Sequence, residues 1–131
     1  GALSGDPIWR MKAYRMALFA LDRAWDDALR FRRHALTYSV ADQLYRAIGS
    51  IGANLSEGYS RSSGPDRVRF FEYGLGSTRE ACVWYHSGRR VLPTSDTEER
   101  IDVLTNIRRI LLVAIPAERR RIIRPTESLL E

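Results

Sequence analysis

"RAIGSIGANLSEGYSR", residues 46–61, decides how this chain folds. Together with the residues just before it, this stretch carries apolar side chains at Val40, Leu44, Ala47/Ile48, Ile51 and Leu55. That spacing of threes and fours draws one apolar stripe along a helix. Gln43, Arg46, Ser50, Asn54 and Glu57 recur at the same spacing and draw a polar stripe beside it. A stripe that meets only water is usually Lys, Glu and Arg throughout. Small and amide side chains beside a core point instead to a face that meets a second helix. The helix is expected from Ser39, where Ser39 and Asp42 resemble a capping box, to Gly58, a helix-stopping glycine.

The next helix, from Pro65 to about Arg90, supplies the mate. Gly74, Ser77, Ala81 and Gly88 make a ridge nearly free of side chains, flanked by Glu80 and Trp84. A glycine inside a helix costs about 1 kcal/mol relative to alanine, so several need a compensating close approach of backbones. The expectation is a tight seam with a structural polar network of Gln43, Arg46, Ser50, Asn54, Glu57, Ser77 and Glu80. Packing is favoured there over ligand binding, because buried polar groups must be paired.

Outward from this pair, two more helices complete the chain. The first opens at Asp6-Pro7 and runs to about His34, with Met11, Leu18, Leu21, Trp25 and Ala28/Leu29 on one face. The fourth starts at a Ser95/Glu98 capping box and carries Ile101, Leu104, Ile107/Arg108, Leu111 and Ile115, before Pro116 kinks or ends it. Four amphipathic helices with short connections and no strand predict an all-α, up-down-up-down antiparallel four-helix bundle. The expected division is a disordered or tag-derived segment 1–6, a bundle domain 7–116, and a basic tail or short helix 117–131.

The bulk properties agree with one soluble domain. The chain has 131 residues, 44% hydrophobic and 28% charged, enough for a single core without disulfides. Cys82 is the only cysteine, so no intrachain disulfide forms. No apolar run reaches the roughly 20 residues needed to cross a bilayer. The start GALSGDP has neither the basic nor the apolar region of a signal peptide, and its leading Gly suggests a cleaved tag. The expected location is the cytoplasm, with no membrane partner.

Chemistry is harder to find. A di-iron bundle needs two Glu-x-x-His pairs, and neither His34 nor His86 has a Glu three residues before it. Cys82 shares a face with Phe71, Leu75 and Thr78 and reads as a small buried hydrophobe; His86 is one turn away, but no third group orients the pair. Glu57 and Glu80 could make a carboxylate pair, though salt bridges to Arg46 or Arg79 explain them more simply. No phosphate-binding glycine motif follows a strand. The expectation is no catalytic residue, no metal, no cofactor, no small-molecule substrate and no enzymatic activity.

The net charge is +5, and only Lys12 among the 21 basic residues is not arginine. A GC-rich genome explains that ratio, but arginine also presents a planar fork suited to phosphates. Arg30, Arg32 and Arg33 close the first helix with His34, and Arg89 and Arg90 close the third. Arg108 and Arg109 lie on the fourth, and Arg119, Arg120 and Arg121 run into the tail with Arg124. Cations at helix C-termini favour the macrodipole, which accounts for part of this. In an up-down bundle the basic ends of helices one and three share one end of the molecule. Tyr59 with Arg61 adds a stacking-plus-phosphate element in a loop. The candidate nucleic-acid contacts are therefore Arg30, Arg32, Arg33, Arg61, Arg89, Arg90, Arg119, Arg120 and Arg121.

"QLYRAIGSIGANLSEGYSR" followed by "FFEYGLGSTREA" resembles the bacterial four-helix bundle proteins encoded in intervening sequences of 23S ribosomal RNA genes. That family's mark is Q-x-x-R-A-x-x-S-I-x-x-N-x-x-E-G, then an aromatic-rich helix with G-S-x-x-E. Here it falls on Gln43, Arg46, Ala47, Ser50, Ile51, Asn54, Glu57 and Gly58, then Gly76, Ser77 and Glu80. The family often has proline where this chain has Gly52. The resemblance implies a homopentamer and no established enzymatic activity or ligand. Two functions are then expected to compete: a non-enzymatic protein binding RNA or DNA through arginine clusters, and a structural module that self-assembles and binds a protein partner.

Overall fold

The structure, a computed structural model, describes residues 5–121. Residues 1–4 and 122–131, which include Arg124 and most of the expected tail, lie outside the described residues. The described chain is four long α-helices with no strand: α1 (Lys12–Phe31), α2 (Tyr38–Tyr59), α3 (Gly64–Gly88) and α4 (Thr94–Arg120). Short 3-10 turns, Pro7–Arg10 and Ala35–Thr37, lead into α1 and α2. Each helix packs on the next, and α4 returns to α1 through the thinnest of the four contacts.

The apolar stripe of the opening stretch is buried along its whole length: Val40, Leu44, Ala47, Ile48, Ile51 and Leu55. Phe71 and Tyr85 of α3 and Leu104, Ile107, Leu111 and Ile115 of α4 close the core around it, with Ile101 packed at its edge. Facing pairs run in opposite chain directions. Leu18 faces Gly52, Leu21 faces Gly49, and Trp25 meets Tyr45; Phe71 meets Gly58, while Gly74 meets Ile51 and Leu55.

The register of α1 differs from expectation. Its buried line is Ala13, Ala17, Ala20, Ala24, Asp27 and Phe31. Leu18, Leu21 and Ala28 only flank the core, and Trp25 and Leu29 are exposed. The competing large residues have the same helical spacing, so periodicity alone could not choose between the two lines. Small residues let α1 sit close on a core already filled by α2, α3 and α4.

The helix ends also correct the expected capping. Asp6 accepts from the Ile8 amide at 3.0 Å, but it caps a 3-10 turn, and Met11 in extended geometry separates that turn from α1. Neither expected capping box forms: α2 follows Thr37 and α4 follows Pro93, without a side-chain cap. The Thr37 hydroxyl instead donates to the Phe31 carbonyl at 2.7 Å and ties the turn back onto α1. Ser63 does cap α3, accepting from the Asp66 amide at 3.3 Å.

Gly58 does not stop α2, which runs on to Tyr59, and no described glycine has positive φ. A Cβ at Gly58 would lie 2.6 Å from the Phe71 ring, so glycine is there for space. α4 passes through Pro116 to Arg120 rather than ending. The missing proline N–H leaves the carbonyl of Leu112 without its helical donor, and Leu112 is exposed to water.

Candidate functional site

The expected α2–α3 seam forms with fewer members than anticipated. Ser77 Oγ donates to Ser50 Oγ at 2.9 Å, and Asn54 Nδ2 donates to the Ser50 hydroxyl and carbonyl, each at 2.9 Å. Gln43, Arg46, Glu57 and Glu80 are exposed and stay outside this cluster. Arg46 pairs with Asp42 at 3.1 Å and Glu57 with Arg61 at 3.0 Å, each one turn along the helix. Long charged side chains reach a neighbour on their own helix at lower entropic cost than one across the seam. Gly88 does not serve this seam either: a Cβ there would strike the ring of Phe31 on α1.

Two buried ion clusters, neither anticipated, tie the helices together. At one end Asp27 of α1 is fully buried; it accepts from the Tyr85 hydroxyl at 2.7 Å and from Arg100 Nε at 2.8 Å. Burial, and then the Asp27 charge, push the Tyr85 hydroxyl well above the ordinary tyrosine range. Burial opposes the charge on Arg100, but Asp27 outweighs it and holds the guanidinium protonated. At the other end Glu118 of α4 is fully buried and accepts from Arg67 at 3.2 Å and Arg121 at 3.0 Å. Arg67 also donates to the carbonyls of Tyr59 and Arg61, each at 3.0 Å, so one guanidinium fastens the α2–α3 loop to α4.

These clusters sort the nine candidate arginines. Arg30 is held by Asp96 at 3.0 Å, and Arg121 turns inward with its side chain 3% exposed, so both are structural. Arg32, Arg33 and Arg90 are exposed at the end where α1 and α3 finish, with no carboxylate partner among the described residues; Arg89 there bonds the His86 carbonyl. That end also carries Asp42, Asp96, Glu98 and Glu99 near the starts of α2 and α4, which offset much of its charge.

The opposite end is different. Arg61 and Arg69 both stack on Phe70, at 4.8 and 5.0 Å from the ring centroid. Tyr73 packs edge-on to Phe70 at 5.9 Å and stays exposed. Arg119 pairs with Glu72 at 2.9 Å, and Arg120 is exposed with no carboxylate partner among the described residues. Arg69, Phe70 and Tyr73 were not singled out from the sequence. The run "RVRFFEY", residues 67–73, interleaves arginine with aromatics and carried that signal.

Other chemistry is sparse. Cys82 is half-buried, and burial raises its thiol above the ordinary range, only partly countered by Arg108. Among the described residues no group of three or more His, Cys, Asp and Glu side chains could hold a metal. No described helix is long and apolar enough to cross a membrane.

Fold and surface thus define a class: a small all-α protein of four helices, pinned at each end by a buried ion cluster. The chain belongs to the family described as 23S rRNA-intervening sequence protein, whose model matches residues 10–112. Among solved structures it is similar to a protein of unknown function from the S23 ribosomal protein family of Bacteroides thetaiotaomicron. The two share 20% identity at a TM-score of 0.73, over 79% of this chain and 97% of that one. That likeness shows the fold. No curated protein matches the chain.

Proposed function

We propose that the protein is a non-enzymatic, cytoplasmic, self-assembling up-down-up-down bundle that binds the phosphate backbone of RNA or DNA through arginines. The observation that carries this reading is the pair of guanidiniums, Arg61 and Arg69, stacked on Phe70 beside exposed Tyr73. Stacking on the ring orients both guanidiniums, so less entropy is lost on meeting a phosphate. Arg61 also lends a donor to the exposed Glu57 at 3.0 Å and shares its fork with that carboxylate. Arg120 and Arg119 extend the basic surface along α4, and Arg32, Arg33, Arg89 and Arg90 supply a second patch at the far end. The opposed facing pairs across neighbouring helices support the antiparallel order.

Self-association as a homopentamer is supported by family membership and by α1. Trp25 and Leu29 stand exposed beside a groove that they line with Ala28, Ala41 and Tyr45, with Arg32 and Asp42 at the same groove of the α1–α2 face. Covering a large apolar side chain is worth about 1.5–3 kcal/mol. In a closed ring, arginine patches repeat about the axis and their fields add. The same apolar flank favours the second reading, a module that binds a protein partner.

Fluorescence anisotropy of a labelled structured RNA, titrated at several salt concentrations, separates the two. Binding that weakens steeply with salt, and weakens further in Arg61→Ala/Arg69→Ala, supports the phosphate reading, because neutralised phosphates release counterions. No binding at low salt by folded, assembled protein leaves the protein-partner module.

A further inference from the structure

The surface around the first half of α3 holds more than charge. Passing around that helix, the side chains met are Arg119 and Glu72, then Arg69, then Tyr73, Phe70 and Arg61, so cations flank the two aromatic rings. Between them lies a shallow hollow of about 300 Å³, lined by Pro65, Val68, Arg69, Glu72, Tyr73 and Arg119. Its lining joins the apolar Pro65 and Val68 and the ring of Tyr73 to the charged Arg69, Glu72 and Arg119.

Resting on the nucleic-acid reading, we propose that this hollow is a nucleobase subsite for single-stranded nucleic acid, with Tyr73 as the stacking residue and Arg61 and Arg69 holding the adjoining phosphates. Glu72 decides what enters. A phosphate in the hollow would meet its carboxylate, whereas a base can stack on Tyr73 and lie over Pro65 and Val68. The exocyclic amine of a base can donate to Glu72, which Arg119 holds in place at 2.9 Å. Phosphates are left to Arg61 and Arg69, which flank the ring of Phe70 next to Tyr73. A duplex keeps its bases stacked inside the helix and cannot present one to a shallow surface hollow, so the subsite selects single strands. A chain of glutamates could satisfy the arginines but has no planar ring to stack on Tyr73.

The test compares a labelled oligoadenylate strand with the same strand annealed to oligouridylate, using the full-length protein. The strand is expected to bind more tightly than the duplex. Base–aromatic stacking predicts that Tyr73→Ala weakens strand binding about tenfold. The same variant should leave duplex affinity and the salt slope of strand binding unchanged, and Tyr73→Phe should retain wild-type strand affinity. Tyr73 is exposed, and an unchanged far-UV circular dichroism spectrum confirms that the variants fold. A duplex that binds as tightly as the strand, or no effect of Tyr73→Ala, overturns the subsite while leaving phosphate binding standing. Displacement of the strand by oligoglutamate at matched charge also overturns it, in favour of an acidic-chain site. Absence of binding to both probes at low salt overturns the subsite and the nucleic-acid reading together.

Discussion

Asp27 shows how much one side chain can carry. It lies in the alanine line of α1, fully buried, and is tolerated because Tyr85 and Arg100 satisfy its oxygens. Removing it leaves Arg100, whose side chain is only 9% exposed, with the half-exposed Glu99 at 3.1 Å as its remaining carboxylate. Breaking one partner out of a buried pair typically costs about 3–5 kcal/mol, so Asp27→Ala should lower the unfolding free energy by that order in a urea titration. A loss well under 1 kcal/mol would mean that water replaces the carboxylate.

Tyr85 adds a pH dependence to the same cluster. Its hydroxyl is held protonated in the fold by burial and by Asp27, above the ordinary tyrosine value. Below about pH 10 the phenol is neutral in folded and unfolded chains alike, and its contribution is fully present. Above that pH the unfolded chain loses the proton while the folded chain keeps it. Stability should then fall by about 1.4 kcal/mol per pH unit from this group. Equilibrium denaturation between pH 9 and 11 should show the slope, and Tyr85→Phe should remove this component of it.

Among the helices, α4 is the one that breaks its own local rules. Pro116 sits inside it, and the helix continues because Leu111, Ile115 and Glu118 are buried on either side of the proline. Tertiary packing outweighs a local preference of about 3 kcal/mol. Pro116→Ala restores the donor for the Leu112 carbonyl and should raise the thermal midpoint, corresponding to about 1–3 kcal/mol. A lowered midpoint would mean that the proline ring itself packs against a neighbour. α1 is unusual in another way, placing alanines inside and Trp25 and Leu29 outside.

For the molecule as a whole, that inversion leaves an apolar flank on one side and an arginine–aromatic surface at one end. If the flank joins copies of the chain, the assembly is held by burial rather than charge and should persist at high salt. Leu29→Glu places a charge in the contact without touching the core, since Leu29 is 45% exposed. Sedimentation velocity should then show a smaller species with unchanged helix content. An unchanged sedimentation coefficient would assign assembly to a different face.

Four helices, the buried stripe of α2 and the meeting of Ser50 with Ser77 were legible in the residues themselves. Each follows from spacing along a single helix, or from small residues that demand a close neighbour. The family was legible for the same reason, because its motif lies on the α2–α3 pair. Three things needed the tertiary structure. The buried line of α1 did, because Ala17 and Leu18 satisfy the same periodicity and only the space left by the other helices chooses between them. The roles of Gly58 and Gly88 did, because the rings they admit, Phe71 and Phe31, come from other helices. So did the split of the arginines into Arg30, Arg67, Arg100 and Arg121, which brace the fold, and Arg61, Arg69 and Arg120, which face outward. A guanidinium becomes a strut or a ligand according to whether a buried carboxylate lies within reach. Asp27 and Arg100 stand 73 positions apart in the chain, and Arg67 and Glu118 stand 51 apart, so only folding brings them together.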